Sequence, residues 1–318
     1  METPVNVTVI CTCFNKGPWI RRALESVVSQ KTSFPFDLVV VDDASTDESV
    51  SEIREFQKAH PDSIRTVFHE RNLGITATWL EACDLVTGTY VARLDGDDYW
   101  TKDDKLERQV ALLEASDDSD WCCTDFDIID SAGNVISPDA IATGAIARVD
   151  TYETMLATKG LVNSSTWLVK TSLMREANKV LDTSEADDTF SIQLELFHRT
   201  RLSRIEESMC VFRTNAGSDS KPMTHEGAER RFRGLERQQL LFVDKYADAD
   251  FRQMSRELIM RDTDNDIRIF GLDRTIDGLR AENARLQEEL AEARRRYESI
   301  VTSKRWRAME KLARLLHR

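Results

Sequence analysis

Three carboxylates crowd into four positions at Asp95-Gly96-Asp97-Asp98, directly after the apolar run Tyr90-Val91-Ala92-Arg93-Leu94. Like charges this close repel, so the arrangement is costly unless a cation sits among them. Hard carboxylate oxygens suit Mg²⁺ or Mn²⁺. An ion held by Asp95, Asp97 and Asp98 could neutralise a diphosphate and act as a Lewis acid for its departure. Taken alone, the motif reads equally well as a solvated acidic turn. A second pair, Asp42-Asp43, follows Leu38-Val39-Val40-Val41 in the same way. Carboxylates at a strand end can accept hydrogen bonds from a base N–H or a ribose hydroxyl. Ser45, Thr46 and Asp47 suffice to cap the helix that follows, which leaves Asp42 and Asp43 for another purpose.

The elements around these motifs alternate. Strand patterns are predicted at 5–13, 38–41, 64–68 and 89–94, and helix patterns at 18–30, 45–60 and 75–86. Pro18 suits a first helical turn, and Gly88 follows the end of the third helix. This βαβαβαβ order predicts an α/β fold with a mainly parallel sheet covered by helices on both faces. Ligands bind such sheets beyond the carboxyl ends of the strands, where both acidic motifs lie. Residues 121–214 are mixed, with a strand at 121–129, a turn at Ser131-Ala132-Gly133-Asn134 and a short helix at 187–199. Residues 226–268 read as helical.

Composition narrows the function. The 318 residues are 41% hydrophobic and carry a formal net charge of -13. That balance argues against nucleic acid as a partner, because phosphate backbones require a basic surface. A phosphorylated small molecule remains compatible if a local basic group, a helix N-terminus or a metal receives it. The six cysteines show no zinc spacing and are expected to be buried, reduced thiols of a cytosolic protein. Residues 1–6 lack the pattern of a signal peptide, and no apolar run reaches the roughly 20 residues of a membrane span. The expected location is cytoplasmic.

From Ile269 the pattern changes. Apolar residues recur in steps of three and four through Ile300, with Asn283 on the same seam and charged residues between. This predicts a coiled coil over 269–302 and a homo-oligomer through it, with Asn283 at an a position. A single helix packed on the preceding domain is the competing reading. The tail 303–318 carries six Lys/Arg against the single acid Glu310. Trp306, Met309, Leu312, Ala313 and Leu316 fall on one helical face, which suits peripheral contact with an anionic membrane at the inner face of the plasma membrane. A solvated helix end would carry the same charges.

The segments VICTCFNK (9–16), VVDDASTD (40–47), Asn72-Leu73-Gly74 and GTYVARLDGDD (88–98) together resemble the family 2 glycosyltransferases of the GT-A fold. The resemblance is strong over 5 to about 115 and weaker to about 220. It implies a GT-A catalytic domain over 1–225 and does not extend to the C-terminal third, where the residues themselves give a helical connection over 226–268 and then the coiled coil and tail. Thr12 and Phe14 match positions lining the nucleoside pocket, and Asn15, Asn72 and Gly74 belong to the same donor-binding motifs. Asp43, beside Asp42, matches the carboxylate that reads the base. Asp95 and Asp97 match the Asp-x-Asp motif, with Asp97 or Asp98 as the direct metal ligand. Asp188 matches the catalytic base. The family motif is usually Glu-Asp and here is Asp187-Asp188, so the choice between the two stays open. Arg213 matches a segment that can contact the diphosphate, and it reads equally well as a surface arginine. His225 is read as a solvated loop histidine rather than a metal ligand.

The implied activity is transfer of a sugar from a nucleotide-sugar donor, UDP- or dTDP-linked, to a hydroxyl of a glycan or lipid-linked acceptor. It would proceed with inversion and serve bacterial surface polysaccharide assembly. Two alternatives stand beside it. A sugar-nucleotide nucleotidyltransferase shares such a sheet, but its Gly-rich first loop is here Phe14-Asn15-Lys16-Gly17-Pro18, with one glycine. A non-catalytic scaffold would bind nucleotide and organise partners through the coiled coil. A processive synthase is disfavoured, because no Gln-x-x-Arg-Trp motif is present.

Overall fold

A computed structural model of the chain describes residues 6–183, 188–215 and 222–309. It resolves into two compact units, Met1–Glu257 and Leu258–Arg318. The first unit opens with strands β1 (Val7–Cys13), β2 (Phe36–Asp42), β3 (Ile64–Phe68) and β4 (Tyr90–Asp95). Helices α1 (Gly17–Val28), α2 (Ser49–Ala59) and α3 (Ile75–Asp84) alternate with them. The first three crossovers therefore match the βαβαβαβ order expected. Leu38, Val39, Val40 and Val41 of β2 are all fully buried, as a parallel strand covered on both faces requires.

The chain continues with β5 (Tyr99–Trp100), α4 (Lys105–Glu114), β6 (Trp121–Ile129), β7 (Val135–Ser137) and α5 (Tyr152–Thr158). Then come β8 (Leu168–Lys170), α6 (Thr171–Ala177), α7 (Thr189–Arg199) and β9 (Leu202–Arg213). Among the described residues the sheet runs β3-β2-β1-β4-β8-β6-β9-β5, with β7 on the side of β6. Strands β3, β2, β1 and β4 are parallel. Strand β8 then enters antiparallel between β4 and β6. It carries the Ser164–Thr166 turn that precedes it to the edge of β4. Strand β9 was not expected, because the charged stretch Arg204-Ile205-Glu206-Glu207 breaks any alternation. The structure absorbs that stretch as an irregularity in the β6–β9 ladder between Thr124 and Phe126.

The core lies on both sides of this sheet. Trp121, fully buried, meets Phe197 edge-on at 5.0 Å and Trp167 at 6.2 Å between ring centroids. Pairs of this kind add about 0.5–1.5 kcal/mol beyond area burial. All six cysteines are buried and free. Burial raises the thiol of each, that of Cys123 to about 11 and that of Cys13 to about 12, so none is poised as a nucleophile.

Helix α8 (His225–Lys245) also belongs to the first unit, which therefore extends past residue 225 to Glu257. Phe242 is fully buried, and its carbonyl accepts from the Tyr152 hydroxyl at 2.8 Å. Lys245 and the Tyr246 hydroxyl both reach the buried Glu195 carboxylate. The predicted helix over 226–268 is in fact two helices, broken at residues 246–250. The second of them, α9 (Phe251–Thr302), runs through the predicted coiled-coil segment without interruption. Of the tail, 304–309 are helical, and 310–318 lie outside the described residues. No described helix is long and apolar enough to cross a membrane.

Candidate active site

The carboxyl ends of β1, β2 and β4 bring the N-terminal motifs to one edge. Thr12 on β1 is in register with Val41 on β2 and with Asp95 on β4. The Asp95–Asp98 turn is seated on β1: the Gly96 amide donates to the Thr12 carbonyl at 3.0 Å, and the Asp98 amide to the Asp95 carbonyl at 2.9 Å. The turn packs closely there: a Cβ on residue 96 would lie 3.1 Å from both the Thr12 carbonyl oxygen and Ile20 Cδ1, so a side chain would make the neighbours give way.

The three acids of the turn are not equivalent. Asp95 keeps 31% of its side chain exposed and accepts from Ser164 Oγ at 3.0 Å and Arg93 Nε at 3.2 Å. Burial pushes its carboxyl up, but Arg93, the Ser164 hydroxyl and Lys16 outweigh burial and hold it below the usual carboxylate range. Asp97 pairs with Lys16 Nζ at 2.6 Å and accepts from Asn215 Nδ2 at 2.7 Å. Asp98 has both oxygens engaged, by the Ser165 hydroxyl at 2.6 Å and the Arg213 amide at 2.9 Å. Burial, with Asp97 and Asp95 nearby, pushes the Asp98 carboxyl well above its ordinary range. Asp98 therefore sits as a structural pin, whereas Asp95 and Asp97 face the strand edge with Lys16.

Arg213 is neither a surface residue nor free. It is buried, and its guanidinium donates to the carbonyls of Asp97 and Asp130 at 3.0 and 3.2 Å. Its position fixes the backbone of the acidic turn. Its carbon also lies 5.3 Å from the Trp19 ring centroid.

The Asp42-Asp43 pair divides its work as well. Asp42 accepts from the Ser45 amide at 2.9 Å and the Ser45 hydroxyl at 2.6 Å. Those bonds hold the intervening Ala44 at φ 60°, a left-handed conformation that costs a non-glycine residue about 1–2 kcal/mol. Asp42 is thus a loop pin rather than a spare carboxylate. Ser45 and Thr46 do not cap α2, which starts only at Ser49. Instead Ser45 Oγ accepts from the Asn15 amide, and the Thr46 amide donates to Asn15 Oδ1, both at 2.8 Å. Asp47 ties the two loops together by accepting from the Ser49 and Gly17 amides. Asp43 accepts from the Leu73 amide at 2.8 Å, the Gly74 amide at 2.9 Å and His69 Nδ1 at 2.8 Å. Asn72 donates to the Asp43 carbonyl at 3.3 Å. Gly74 adopts φ 88°, which a side chain would strain. Phe14, 43% exposed, stands beside this edge in sequence and carries the largest open apolar surface of the first loop.

Asp188 is joined to the same edge by a residue with no role in the sequence reading. Arg93, fully buried on β4, donates to Asp188 Oδ2 at 2.7 Å and to Asp95 at 3.2 Å, and lies 4.7 Å from the Trp79 ring centroid. Removing one member of a buried pair strands the other charge, at a cost of about 3–5 kcal/mol. Asp188 is only 1% exposed at the N-terminal end of α7. Asp187 lies outside the described residues. His225 is exposed at the start of α8. No group of three His, Cys, Asp or Glu side chains is preassembled as a metal site among the described residues.

Lys16, Arg93, Ser164, Ser165 and Asn215 are the residues sequence reasoning missed. Arg93 did leave a signal, because an arginine inside an otherwise apolar parallel strand demands a buried counter-ion. Ser164 and Ser165 left none, since they reach the site only through the antiparallel return of β8.

Comparison with known proteins identifies the family and the fold. The family model for glycosyl transferase family 2 matches residues 8–165. A putative teichuronic acid biosynthesis glycosyltransferase, TuaG of Bacillus subtilis, is 35% identical over 108 residues, 34% of this chain and 41% of the relative. An uncharacterized glycosyltransferase of Nostoc is 36% identical over 113 residues, 36% of this chain and 34% of the relative. The matched stretch thus spans well under half of these relatives' own length. Among solved structures, S. aureus TarS 1–349 in complex with UDP-GlcNAc superposes with a TM-score of 0.59 at 19% identity, covering 81% of this chain and 71% of that one. The mannosyltransferase PcManGT of Pyrobaculum calidifontis, in complex with GDP-Man and Mn²⁺, gives 0.58 at 21% identity, covering 81% and 70%. At such identities the superpositions speak for the fold, which is GT-A. The motifs and the matched family model place this chain, through residues 8–165, in glycosyl transferase family 2.

Proposed function

We propose that the chain transfers a sugar from a nucleoside-diphosphate donor, UDP- or dTDP-linked, to a hydroxyl of a glycan or lipid-linked acceptor, with inversion. The observation that carries the reading is the convergence at one strand edge of Asp43, Asp95 and Asp97, with Asp188 tied to Asp95 through Arg93. The likeness to TuaG, a putative teichuronic acid biosynthesis glycosyltransferase, supports bacterial surface polysaccharide as the setting.

Asp95 and Asp97 fit a divalent cation. Asp95 keeps 31% of its side chain exposed and Asp97 11%, and Mg²⁺ or Mn²⁺ is commonly held by one or two carboxylates together with substrate phosphates. The presence of Mn²⁺ with PcManGT supports the same choice. When bound, the ion supplies charge neutralisation for the departing diphosphate. The chain's own residues do the rest. Asp43, with one oxygen accepting from the Leu73 amide and His69 and the other from the Gly74 amide, holds the 72–74 loop against the end of β2 and so shapes the pocket for the base. Ser164 and Arg93 hold Asp95 ionised and in place. Lys16 neutralises Asp97 until the donor arrives. A carboxylate of the 187–188 pair takes the acceptor proton as its oxygen attacks the anomeric carbon, and single displacement inverts that centre.

Release of nucleoside diphosphate from a panel of UDP-, dTDP- and GDP-sugars, with Mn²⁺ and with excess chelator, tests the reading. Turnover of at least one donor with metal and its loss with chelator is the expected result. Pyrophosphate-dependent turnover in its place would point to a nucleotidyltransferase.

The basic tail supports a second, smaller proposal, peripheral binding to anionic membrane. Deleting 303–318 is expected to abolish co-sedimentation with phosphatidylglycerol vesicles, and unchanged sedimentation would refute it.

A further inference from the structure

The second unit carries an apolar seam that nothing among its described residues covers. Among its described residues Ile269, Leu272, Ile276, Leu279, Leu286 and Leu290 are each between 44% and 60% exposed. Single exposed leucines are ordinary, but six on one stripe of one helix are not. Gly271 and Gly278 lie in the same segment with open space around them. Each costs a helix about 1 kcal/mol relative to alanine, so this stretch depends on contacts beyond its own hydrogen bonds. The intrahelical ion pairs there, such as Arg280–Asp277 at 3.6 Å, are exposed and weak.

We propose that the seam pairs with a second copy of this chain as a parallel, in-register, two-stranded coiled coil. This does not rest on the transferase reading. The a positions are Ile269, Ile276, Asn283, Leu290 and Tyr297, and the d positions are Leu272, Leu279, Leu286, Ala293 and Ile300. Isoleucine at a with leucine at d, as in the first two heptads, favours two strands. Asn283 fixes the register. In a parallel, in-register pair it faces Asn283 of the second copy, where the two amides can hydrogen-bond. In an antiparallel pair of full overlap it faces Leu286, leaving a polar group unpaired in the seam.

The flanking charges choose the same arrangement. In a parallel pair each g residue meets the e residue five positions on in the other copy. Arg268 then meets Asp273, and Glu289 meets Arg294, each twice by symmetry. The remaining pairs are Thr275 with Arg280, Glu282 with Gln287 and Arg296 with Val301, so no like charges are opposed. The antiparallel pairing brings Glu282 against Glu289 twice, a repulsion of the kind that excludes alternative registers.

Light scattering on the full chain and cysteine cross-linking test this together. The native cysteines are buried, so Leu272→Cys and Ile300→Cys, made separately, introduce the reactive thiols near the two ends of the seam. The expected results are twice the chain mass for the unmodified protein and disulfide-linked dimers from both variants under mild oxidation. A monomer or a trimer by mass would overturn the proposal. So would a dimer that cross-links in neither variant, since that is the antiparallel outcome. None of these readouts involves donor or acceptor, so they stand or fall independently of catalysis.

Discussion

Asp97→Asn is expected to lower sugar transfer by about two to three orders of magnitude, the effect of losing several kcal/mol of charge stabilisation at the diphosphate. The substitution is nearly isosteric, and the amide oxygen can still accept from Asn215 Nδ2, which now lies 2.7 Å from Asp97. What it removes is a negative charge paired with Lys16. The melting temperature should change little, while the Mn²⁺ concentration needed for half-maximal rate should rise. Asp98→Asn is the control. Its carboxylate is engaged by Ser165 and the Arg213 amide, so the expected loss is in stability, with the metal dependence of the remaining activity unchanged. Initial rates over a Mn²⁺ series, with melting curves for both variants, check the pair. Equal metal dependence for Asp97→Asn and the unmodified chain would remove Asp97 from the metal site.

Loss of the acceptor's base is expected to cost about 10²–10⁴ in kcat, with donor affinity retained. Asp188→Asn and Asp187→Asn, each alone, assign it. Asp188 is buried against Arg93, so Asp188→Asn also leaves that guanidinium with Asp95 as its remaining charged partner among the contacts described, and a lower melting temperature accompanies any loss of rate. If Asp188 serves mainly to anchor Arg93, the rate defect falls instead on Asp187→Asn, with stability unchanged. Undiminished transfer in both variants would place the base elsewhere.

Much of the parallel half of the fold was legible because its signals are local. The run Leu38-Val39-Val40-Val41 reads as a buried strand without help from the rest of the chain, whereas the helix expected to end at Gly88 stops at Asp84, with Leu85 as its cap. That the acids at the ends of β2 and β4 share one sheet edge was legible, because topology alone puts strand ends together. Their division of labour was not. Whether a carboxylate faces a ligand or pins a loop depends on which amides fold back onto it. Asp42 turned out to hold Ser45, and Asp98 to hold Ser165 and Arg213. Those partners lie 3, 67 and 115 positions away. The helix cap expected at Ser45 failed for the same reason, since Ser45 and Thr46 bond across to Asn15 instead. The long-range return of β8 and β9 beside β4 and β6 is encoded in pairings between distant segments, which no periodicity within either one reveals.

The most direct test of the account is a thermal-shift series on the full chain with UDP-, dTDP- and GDP-sugars, each with and without Mn²⁺. Ligand binding to the folded state raises the melting temperature by mass action. The account predicts a rise for at least one UDP- or dTDP-sugar that requires Mn²⁺ and is lost in Asp97→Asn. A donor-induced rise that is the same without metal and in Asp97→Asn would contradict it.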